Sequence, residues 1–172
     1  MACNHTLTAI LKDCSASMGG IVEALFANRD EVGTITIEDD MVSAITMKEG
    51  GKKFVKVQFP RNTGSMSSNY TIDPTTGVKF VTTDLVVMLN RMETQKRVAI
   101  KALMENELVA IVKDANGKYW YLGYDEPLIA SAGDGLTGTA RADRNGYSFT
   151  LQDNSHEMPY EVNPDIVDAL VA

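Results

Sequence analysis

Histidine and cysteine, which often carry catalysis or bind metals, are scarce in this sequence. The histidines His5 and His156 lie at opposite ends of the chain, and the only cysteines are Cys3 and Cys14. A nucleophile beside a general base would therefore require a chance tertiary encounter. Cys3, His5 and Cys14 could supply three zinc ligands, but their spacing matches no standard zinc site and no fourth ligand is evident. These shortages predict a protein that is not an enzyme and binds no cofactor.

Long apolar runs are also missing. The longest, such as residues 85–89, are far too short to span a bilayer. The N-terminus has no basic start followed by an apolar core, so no secretion signal is expected. Without such a signal, the two cysteines are expected to be free thiols. The sequence therefore predicts a protein that is made and used in a cytoplasm and has no membrane partner.

Positive charge is in deficit. The chain has 16 Lys and Arg against 23 Asp and Glu, which gives a net charge of −7 and a pI near 4.8. Binding to phosphates requires clustered Lys and Arg, so this composition argues against a surface that grips nucleic acid. An acidic surface would instead repel DNA and allow it to slide past without holding it.

Short strand-like segments separated by turn signals make up most of what is present. Asn116-Gly117 and Asn145-Gly146 are strong hairpin signals, and Glu38-Asp39-Asp40 marks a further hairpin tip. About nine or ten strands are predicted around a single helix. The predicted fold is mainly β, a β-sandwich or barrel-like sheet with one flanking α-helix around residues 91–106, and α+β only at the margin.

The helix is predicted from its capping signals and its apolar stripe. Asn90 can cap it, and Glu93, three residues later, can reach back in a capping box. The stripe is expected to pack the helix on the sheet. Its members are Ala99, Ile100, Leu103 and Met104.

Composition divides the chain into three parts. Residues 1–20 are predicted to form an N-terminal arm or loosely held segment, residues 21–163 the β-sandwich domain, and residues 164–172 a C-terminal tail that could form a short helix. Residues 61–69 and 131–138 are rich in small and polar residues, so both are expected to be flexible.

Asp13-Cys14-Ser15-Ala16-Ser17 resembles the D-x-S-x-S metal-binding loop of von Willebrand factor A domains. A carboxylate and two hydroxyls suit a hard divalent cation, so Asp13, Ser15 and Ser17 are the alternative metal ligands. Those domains alternate strands and helices throughout, however, whereas this sequence predicts one helix. A solvated loop or arm is the favoured interpretation.

Two further motifs have simpler structural interpretations. Residues 133–138 satisfy G-x-G-x-x-G, but a dinucleotide site requires a strand before the motif and a helix after it, and here a hairpin is predicted to follow. In Tyr119-Trp120-Tyr121, strand alternation would send Trp120 to one face and the tyrosines to the other, so half of the run is expected in the core.

Five segments in order resemble virion structural proteins of tailed bacteriophages, most closely the tail tube (major tail) class. The resemblance covers roughly residues 12–162. The segments are GGIVEALFANRDEV, FPRNTGSMSSN, METQKRVAIKALMENELVAIVKDANGKYWYLGYDEP, TGTARADRNGYSFTLQ and MPYEV.

This resemblance implies a β-sandwich subunit that assembles with itself into stacked, commonly hexameric rings, with long loops or a terminal arm reaching the next subunit. It implies a virion tail location, assembly in the host cytoplasm, contact with other tail proteins, and an acidic channel through which DNA passes without specific binding. Glu38, Asp39 and Asp40 are candidates for lining that channel. A head–tail connector or a decoration protein remains an alternative.

Overall fold

Strands account for most of the regular structure in the computed structural model, which describes residues 6–172. The strands are β1 Ile21–Asn28, β2 Val32–Glu38, β3 Met41–Met47, β4 Val55–Gln58, β5 Ser65–Asp73, β6 Val78–Asn90, β7 Leu108–Asp114, β8 Tyr119–Leu122, β9 Ile129–Leu136, β10 Gly146–Ser155 and β11 Tyr160–Val162. The helices are α1 Thr94–Glu105 and α2 Pro164–Leu170, and a 3-10 turn spans Arg29–Glu31.

These strands form two sheets. The larger has seven strands in the order β2-β3-β11-β8-β7-β1-β4, and the smaller has four in the order β5-β6-β10-β9. The strand pairs are antiparallel, except that β11 runs parallel to β3. The mainly β fold that the sequence predicts is therefore confirmed.

The main core lies between the two sheets. Phe26 of β1 and Leu122 of β8 meet Leu85 of β6 and Phe149 of β10 there, and all four are almost fully buried. Burial of aliphatic and aromatic side chains of this size stabilises the fold by about 1.5–3 kcal/mol each. The alternation of buried and exposed residues along β6 and β10 places one face of the four-stranded sheet in this core and leaves the other outside it.

A second core lies on the opposite face of the seven-stranded sheet. Phe54, Tyr121 and Ile111 are completely buried in it, and Val167 and Leu170 of α2 cover it. This helix begins where predicted, because the Asn163 side chain accepts a hydrogen bond from the Asp165 amide (3.0 Å) and Pro164 has no amide proton to leave unpaired. β7 is buried on both faces, which explains its unbroken apolar sequence.

The predicted capping box of α1 is wrong. Asn90 is the last residue of β6 and pairs with Gly146 of β10, and the helix begins four residues later, after Glu93, without a side-chain cap. Arg91 has a positive φ of 64°, which turns the chain between strand and helix. Asn90 pairs in the sheet instead of capping the helix. Tertiary structure therefore overrides the local capping signal.

Helix α1 covers the main core only in part. Ile100, Leu103 and Met104 of the predicted stripe pack against that core and are half-buried, whereas Ala99 is exposed. No residue of this helix is fully buried.

We expect Leu103→Ala to destabilise the protein by about 1–2 kcal/mol, below the usual cost for a fully buried leucine, because Leu103 keeps part of its surface in water. Chemical denaturation measures the difference. Val98→Ala on the same helix is the matched control, because Val98 is 57% exposed and should cost much less. Equal losses in the two variants would contradict this placement of the helix.

Both segments predicted to be flexible are largely strand, which corrects those expectations. β5 begins at Ser65, and β9 runs through Gly133 and Gly135. The hairpin predicted at Asn145-Gly146 has its turn earlier in the chain, because residues 137–145 form the loop after β9 and Gly146 is the first residue of β10. The apolar run at residues 85–89 is part of the longer strand β6, which begins at Val78. In each case the hydrogen-bonded neighbour selects the conformation more strongly than the local composition.

Candidate functional site

The D-x-S-x-S loop lies on an exposed arm without regular structure. The Ser15 hydroxyl and amide both donate to Asp13 Oδ1, at 2.5 and 2.8 Å, and these hydrogen bonds lower the pKa of the Asp13 carboxyl. The same oxygen would have to release those donors to bind a cation. Ser17 is exposed and has no hydrogen bond to either residue. The arrangement is a local turn motif of the kind that Asp and Ser commonly form.

The remaining candidate ligands do not converge. Cys3 and His5 lie outside the described residues, and Cys14 is an exposed free thiol. His156 Nδ1 lies 3.0 Å from Asp125 Oδ2. Between residues 6 and 172 no group of three His, Cys, Asp or Glu side chains is arranged to hold a metal ion. No helix in this part of the chain is long and apolar enough to cross a membrane.

The other two sequence motifs lie mainly in strands of the two sheets. The G-x-G-x-x-G segment lies mostly in β9, which no helix follows. In the aromatic run, Tyr121 is buried in the second core, where burial raises the pKa of its hydroxyl. Trp120 packs on the main core from the opposite face, and its indole donates to Asp114 Oδ2 (3.1 Å). This is the division between faces that strand alternation predicts.

Glu38, Asp39 and Asp40 are exposed at the turn between β2 and β3, where Asp39 and Asp40 have positive φ. β2 is the outer strand of the seven-stranded sheet, so this acidic turn lies at an edge of the larger sheet and not on the four-stranded one.

The most distinctive surface is the face of the four-stranded sheet that points away from the main core, here called the open face. Strand register identifies its members, because residues paired across neighbouring strands point to the same side. They are Ser65, Ser67, Asn69, Thr71 and Asp73 on β5, Val78, Phe80, Thr82, Asp84, Val86, Met88 and Asn90 on β6, Ser148, Thr150, Gln152 and Asn154 on β10, and Ile129, Ala132, Asp134 and Leu136 on β9.

The open face contains no lysine or arginine of its own. Its three charged residues, Asp73, Asp84 and Asp134, are all acidic, and most of the others are hydroxyl or amide side chains. Arg144, from the loop between β9 and β10, pairs with Asp134 (2.6 Å). A chain with 16 basic residues therefore presents none of them from the strands of this surface.

Cross-strand hydrogen bonds hold the polar side chains of the open face. Gln152 donates to Asp84 Oδ1 at 2.7 Å, and the Thr82 hydroxyl donates to Asn154 Oδ1 at 2.9 Å. Such pairs stabilise a sheet by roughly 0.2–1 kcal/mol each, and they use donors and acceptors that could otherwise bind a passing molecule. The open face therefore combines these hydrogen-bonded polar pairs with a residual negative charge.

The two outer strands of this sheet lack the residues that usually block further pairing. Neither β5 nor β9 contains Pro, Lys or Arg, although β9 has one irregularity beside Thr150. In the seven-stranded sheet, by contrast, outer strand β4 has four residues and carries Lys56, and outer strand β2 is interrupted by two register shifts. The four-stranded sheet is thus the one whose edges remain suited to adding a strand.

The β5–β6 hairpin extends beyond the rest of its sheet. The pairing of β6 with β10 ends at Val81, whereas its pairing with β5 continues to Val78. Tyr70, opposite Val81, and Ile72, beyond it, are 47% and 62% exposed. Asp73 closes the turn by accepting a hydrogen bond from the Thr75 amide (2.9 Å). Apolar side chains on a projecting hairpin form a natural contact surface.

A buried carboxyl joins the two sheets. Asp153 of β10 is 4% exposed, and its Oδ2 accepts a hydrogen bond from the Gly123 amide (2.7 Å) at the end of β8, while Oδ1 has no partner. Burial raises the pKa of this carboxyl, and the hydrogen bond from Gly123 offsets only part of the effect. Folding therefore shifts the protonation equilibrium of Asp153 towards its neutral form.

This pKa shift predicts a pH dependence of stability. Because the pKa of Asp153 is raised on folding, this carboxyl contributes to the stability of the folded protein. The contribution is complete below the ordinary pKa of 3.8 and is lost as pH rises through the folded pKa. Asp153→Asn removes the titration, so its melting temperature relative to the parent should rise as pH increases above 3.8.

Asp125→Asn is the control of opposite sign, because the hydrogen bond from the His156 amide lowers the pKa of Asp125. There the parent should lose stability relative to the variant only as pH falls below 3.8. Thermal unfolding across this range checks both signs, and a pH-independent difference for Asp153→Asn would contradict the assignment.

Comparisons with known proteins find no family, no curated protein and no solved structure that matches this chain.

Proposed function

We propose that this protein is a structural subunit of a phage tail tube, which assembles with itself into stacked rings around a channel for DNA. The observation that carries this proposal is the four-stranded sheet, whose strands present no basic residue on the open face and whose two outer strands contain no Pro, Lys or Arg. The resemblance of the sequence to tail tube proteins supports it independently.

Unprotected outer strands favour assembly between copies. If β5 of one subunit lies beside β9 of the next, the four-stranded sheets join into one continuous sheet, and a closed ring of subunits leaves no free edge. This contact uses two different surfaces of the same chain, so it generates a ring when the rotation closes. A hexamer is the proposed ring, as in the tail tube class.

The open face suits the inner wall of such a ring. DNA carries a negative charge about every 1.7 Å of its axis, so a basic wall would bind it and slow its passage. A wall of hydroxyl, amide and apolar side chains with three carboxylates repels the phosphates weakly, and the one cation beside it, Arg144, is paired with Asp134. We therefore propose the open face as the channel lining, in place of the acidic turn of Glu38, Asp39 and Asp40.

In this proposal the protein is located in the virion tail, is assembled in the host cytoplasm, and contacts itself and other tail proteins. DNA is a transient occupant without specific binding. A connector or decoration protein is the second candidate, and unprotected strands would serve either one. The von Willebrand-like module is less favoured, because the mainly β fold lacks the alternating helices of those domains and Ser17 makes no hydrogen bond to Asp13 or Ser15.

Self-association is the direct test. The purified protein should form rings or tubes as its concentration or the salt concentration rises, because salt screens repulsion between subunits of net charge −7. Negative-stain microscopy shows the particles, and sedimentation velocity measures their mass. A single monomeric species across both variables would overturn the proposal, whereas discrete closed rings that never stack would favour a connector.

A further inference from the structure

The turn between β7 and β8 contains an asparagine followed by a glycine. Asn116 and Gly117 are both exposed there. Such a pair can lose the asparagine amide without an enzyme, because the glycine backbone nitrogen can attack the side-chain carbonyl carbon and glycine has no Cβ to hinder the approach. The sequence has one other pair of this kind, Asn145-Gly146. The two pairs lie in different surroundings.

The backbone at Gly117 has room to rearrange. Its φ is 86°, and a Cβ at this position would meet nothing within 4 Å, so no neighbouring atom crowds the peptide. Its amide donates to the Asp114 carbonyl oxygen at 3.2 Å, which is the long end of the usual range for a hydrogen bond. The nitrogen that must attack is therefore weakly held.

Asn145-Gly146, by contrast, is fixed in the sheet. The Asn145 carbonyl oxygen accepts from the Arg91 amide (2.7 Å), and Asn145 Oδ1 accepts from the Met92 amide (3.0 Å). Gly146 is the first residue of β10, and a Cβ there would clash with the Leu89 carbonyl oxygen of β6. Attack by the Gly146 nitrogen would require this end of β10 to separate from β6, so Asn145 is protected.

The Asn116 side chain holds the chain before β1. Its Oδ1 accepts from the Met18 amide (2.8 Å), and its Nδ2 donates to the Met18 carbonyl oxygen (3.0 Å). The Ala115 amide also donates to the Gly20 carbonyl oxygen (3.0 Å). Residues 6–19 are exposed and form no helix or strand, and segments of this kind open at little cost in free energy. Each opening frees the Asn116 side chain to react.

We propose that Asn116 is a site of spontaneous deamidation, and that the reaction releases residues 6–19 from the turn between β7 and β8. The Gly117 nitrogen loses its proton and bonds to Asn116 Cγ, the bond from Cγ to Nδ2 breaks, and ammonia leaves. One water molecule then opens the cyclic imide at either carbonyl carbon, which gives aspartate or isoaspartate. The inference concerns the single chain and does not depend on the proposed tube.

Either product removes half of the contact with Met18. A carboxylate has no hydrogen to donate, so the Met18 carbonyl oxygen loses its partner and faces a negatively charged oxygen instead. The new charge also lies beside Asp114, whose carboxylate accepts from the backbone amide of residue 116. Isoaspartate in addition routes the main chain through Cβ, which displaces the turn. Because ammonia is lost, the release is one-way.

Peptide mapping of the intact protein locates the reaction. Purified protein is incubated in mildly alkaline buffer made with water enriched in heavy oxygen. Residue 116 should become aspartate and isoaspartate carrying one heavy oxygen, roughly tenfold or more faster than residue 145, because the two glycines differ in freedom. An amide that persists at residue 116, or equal conversion at residues 116 and 145, would overturn the proposal.

Matched variants test the same assignment by charge. Deamidation adds one carboxylate and takes the formal net charge from −7 to −8, so isoelectric focusing should show a more acidic species that accumulates with time. Asn116→Gln keeps an amide but closes a larger ring much more slowly, and the acidic species should not accumulate. Asn145→Gln should leave its accumulation unchanged. Equal accumulation in Asn116→Gln and the parent would place the reaction elsewhere and refute the site.

Hydrogen exchange at the Met18 amide measures the release. By nuclear magnetic resonance, this amide should exchange on the order of tenfold faster in the isoaspartate fraction than in fresh protein, because its partner has moved. Asn116→Asp, which removes the Nδ2 donor without changing the backbone, should also speed its exchange. Asn145→Asp adds the same charge at the other pair and should leave it unchanged. Unaltered exchange at Met18 in the isoaspartate fraction would overturn the proposed release.

Discussion

If the protein is the tail tube subunit proposed above, particles assembled with lysine at Ser148, Thr150 and Asn154 should deliver on the order of tenfold less DNA per adsorbed particle than the parent. These residues alternate along β10, a central strand of the four-stranded sheet, so all three point from the open face. Each lysine near a phosphate adds an attractive contact that must be broken as DNA advances, and every subunit of the ring would repeat it. The measurement is delivered DNA per adsorbed particle, with particle yield confirming assembly.

Two controls separate the effect of positive charge on the open face from the effects of side-chain length and of net charge. Glutamine at the same three positions adds length without charge and should deliver as the parent does. Lysine at Glu38, Asp39 and Asp40 changes the net charge further, from −7 to −1, but places the new charge on the turn of the larger sheet. Normal delivery by this second control would support the open face as the lining. Impaired delivery by it, with normal delivery by the β10 variant, would assign the channel to the acidic turn.

Sequence patterns that depend on neighbouring residues predicted most of the fold. The apolar run of β7 and the Asn116-Gly117 turn reflect local geometry, and both are present in the structure, whereas Asn145-Gly146 is not a turn because Gly146 is the first residue of β10. The helix was expected from its composition and extends over Thr94–Glu105. These features are short-range, so one sequence is enough to find them.

Features that depend on partners far away in sequence could not be predicted in the same way. The first part of β5, residues 65–69, reads as a flexible polar segment because it is rich in Ser and Asn, and it becomes a strand by pairing with β6. β9 contains two glycines and is defined by β10. The open face is assembled from these same four strands, so its lack of basic residues becomes visible only after the register is known. The acidic triplet at residues 38–40 was contiguous in sequence and therefore easier to notice.

A single glycine controls the register on which the open face depends. Gly146 begins β10 between Asn90 of β6 and Leu136 of β9, and its φ is 155°. A Cβ at this position would lie 2.0 Å from the Leu89 carbonyl oxygen, which is backbone and cannot turn aside. Gly146→Ala should therefore separate β10 from β6 at this end and destabilise the protein by about 3–5 kcal/mol, from overpacking together with backbone strain.

Gly77→Ala is the matched control for this prediction. Gly77 also has a positive φ, of 74°, but a Cβ there would meet nothing within 4 Å. Gly77→Ala should lower the free energy of unfolding by only roughly 1–2 kcal/mol, which is the cost of a left-handed conformation for a residue with a side chain. Chemical denaturation compares the two free energies of unfolding, and microscopy shows whether each variant still assembles. Because the larger loss at Gly146 would come from a clash between strands, Gly146→Ala should also lose rings or tubes that Gly77→Ala retains. Equal stability of the two variants would mean that β10 can shift past Leu89, and that the open face is not fixed as its register indicates.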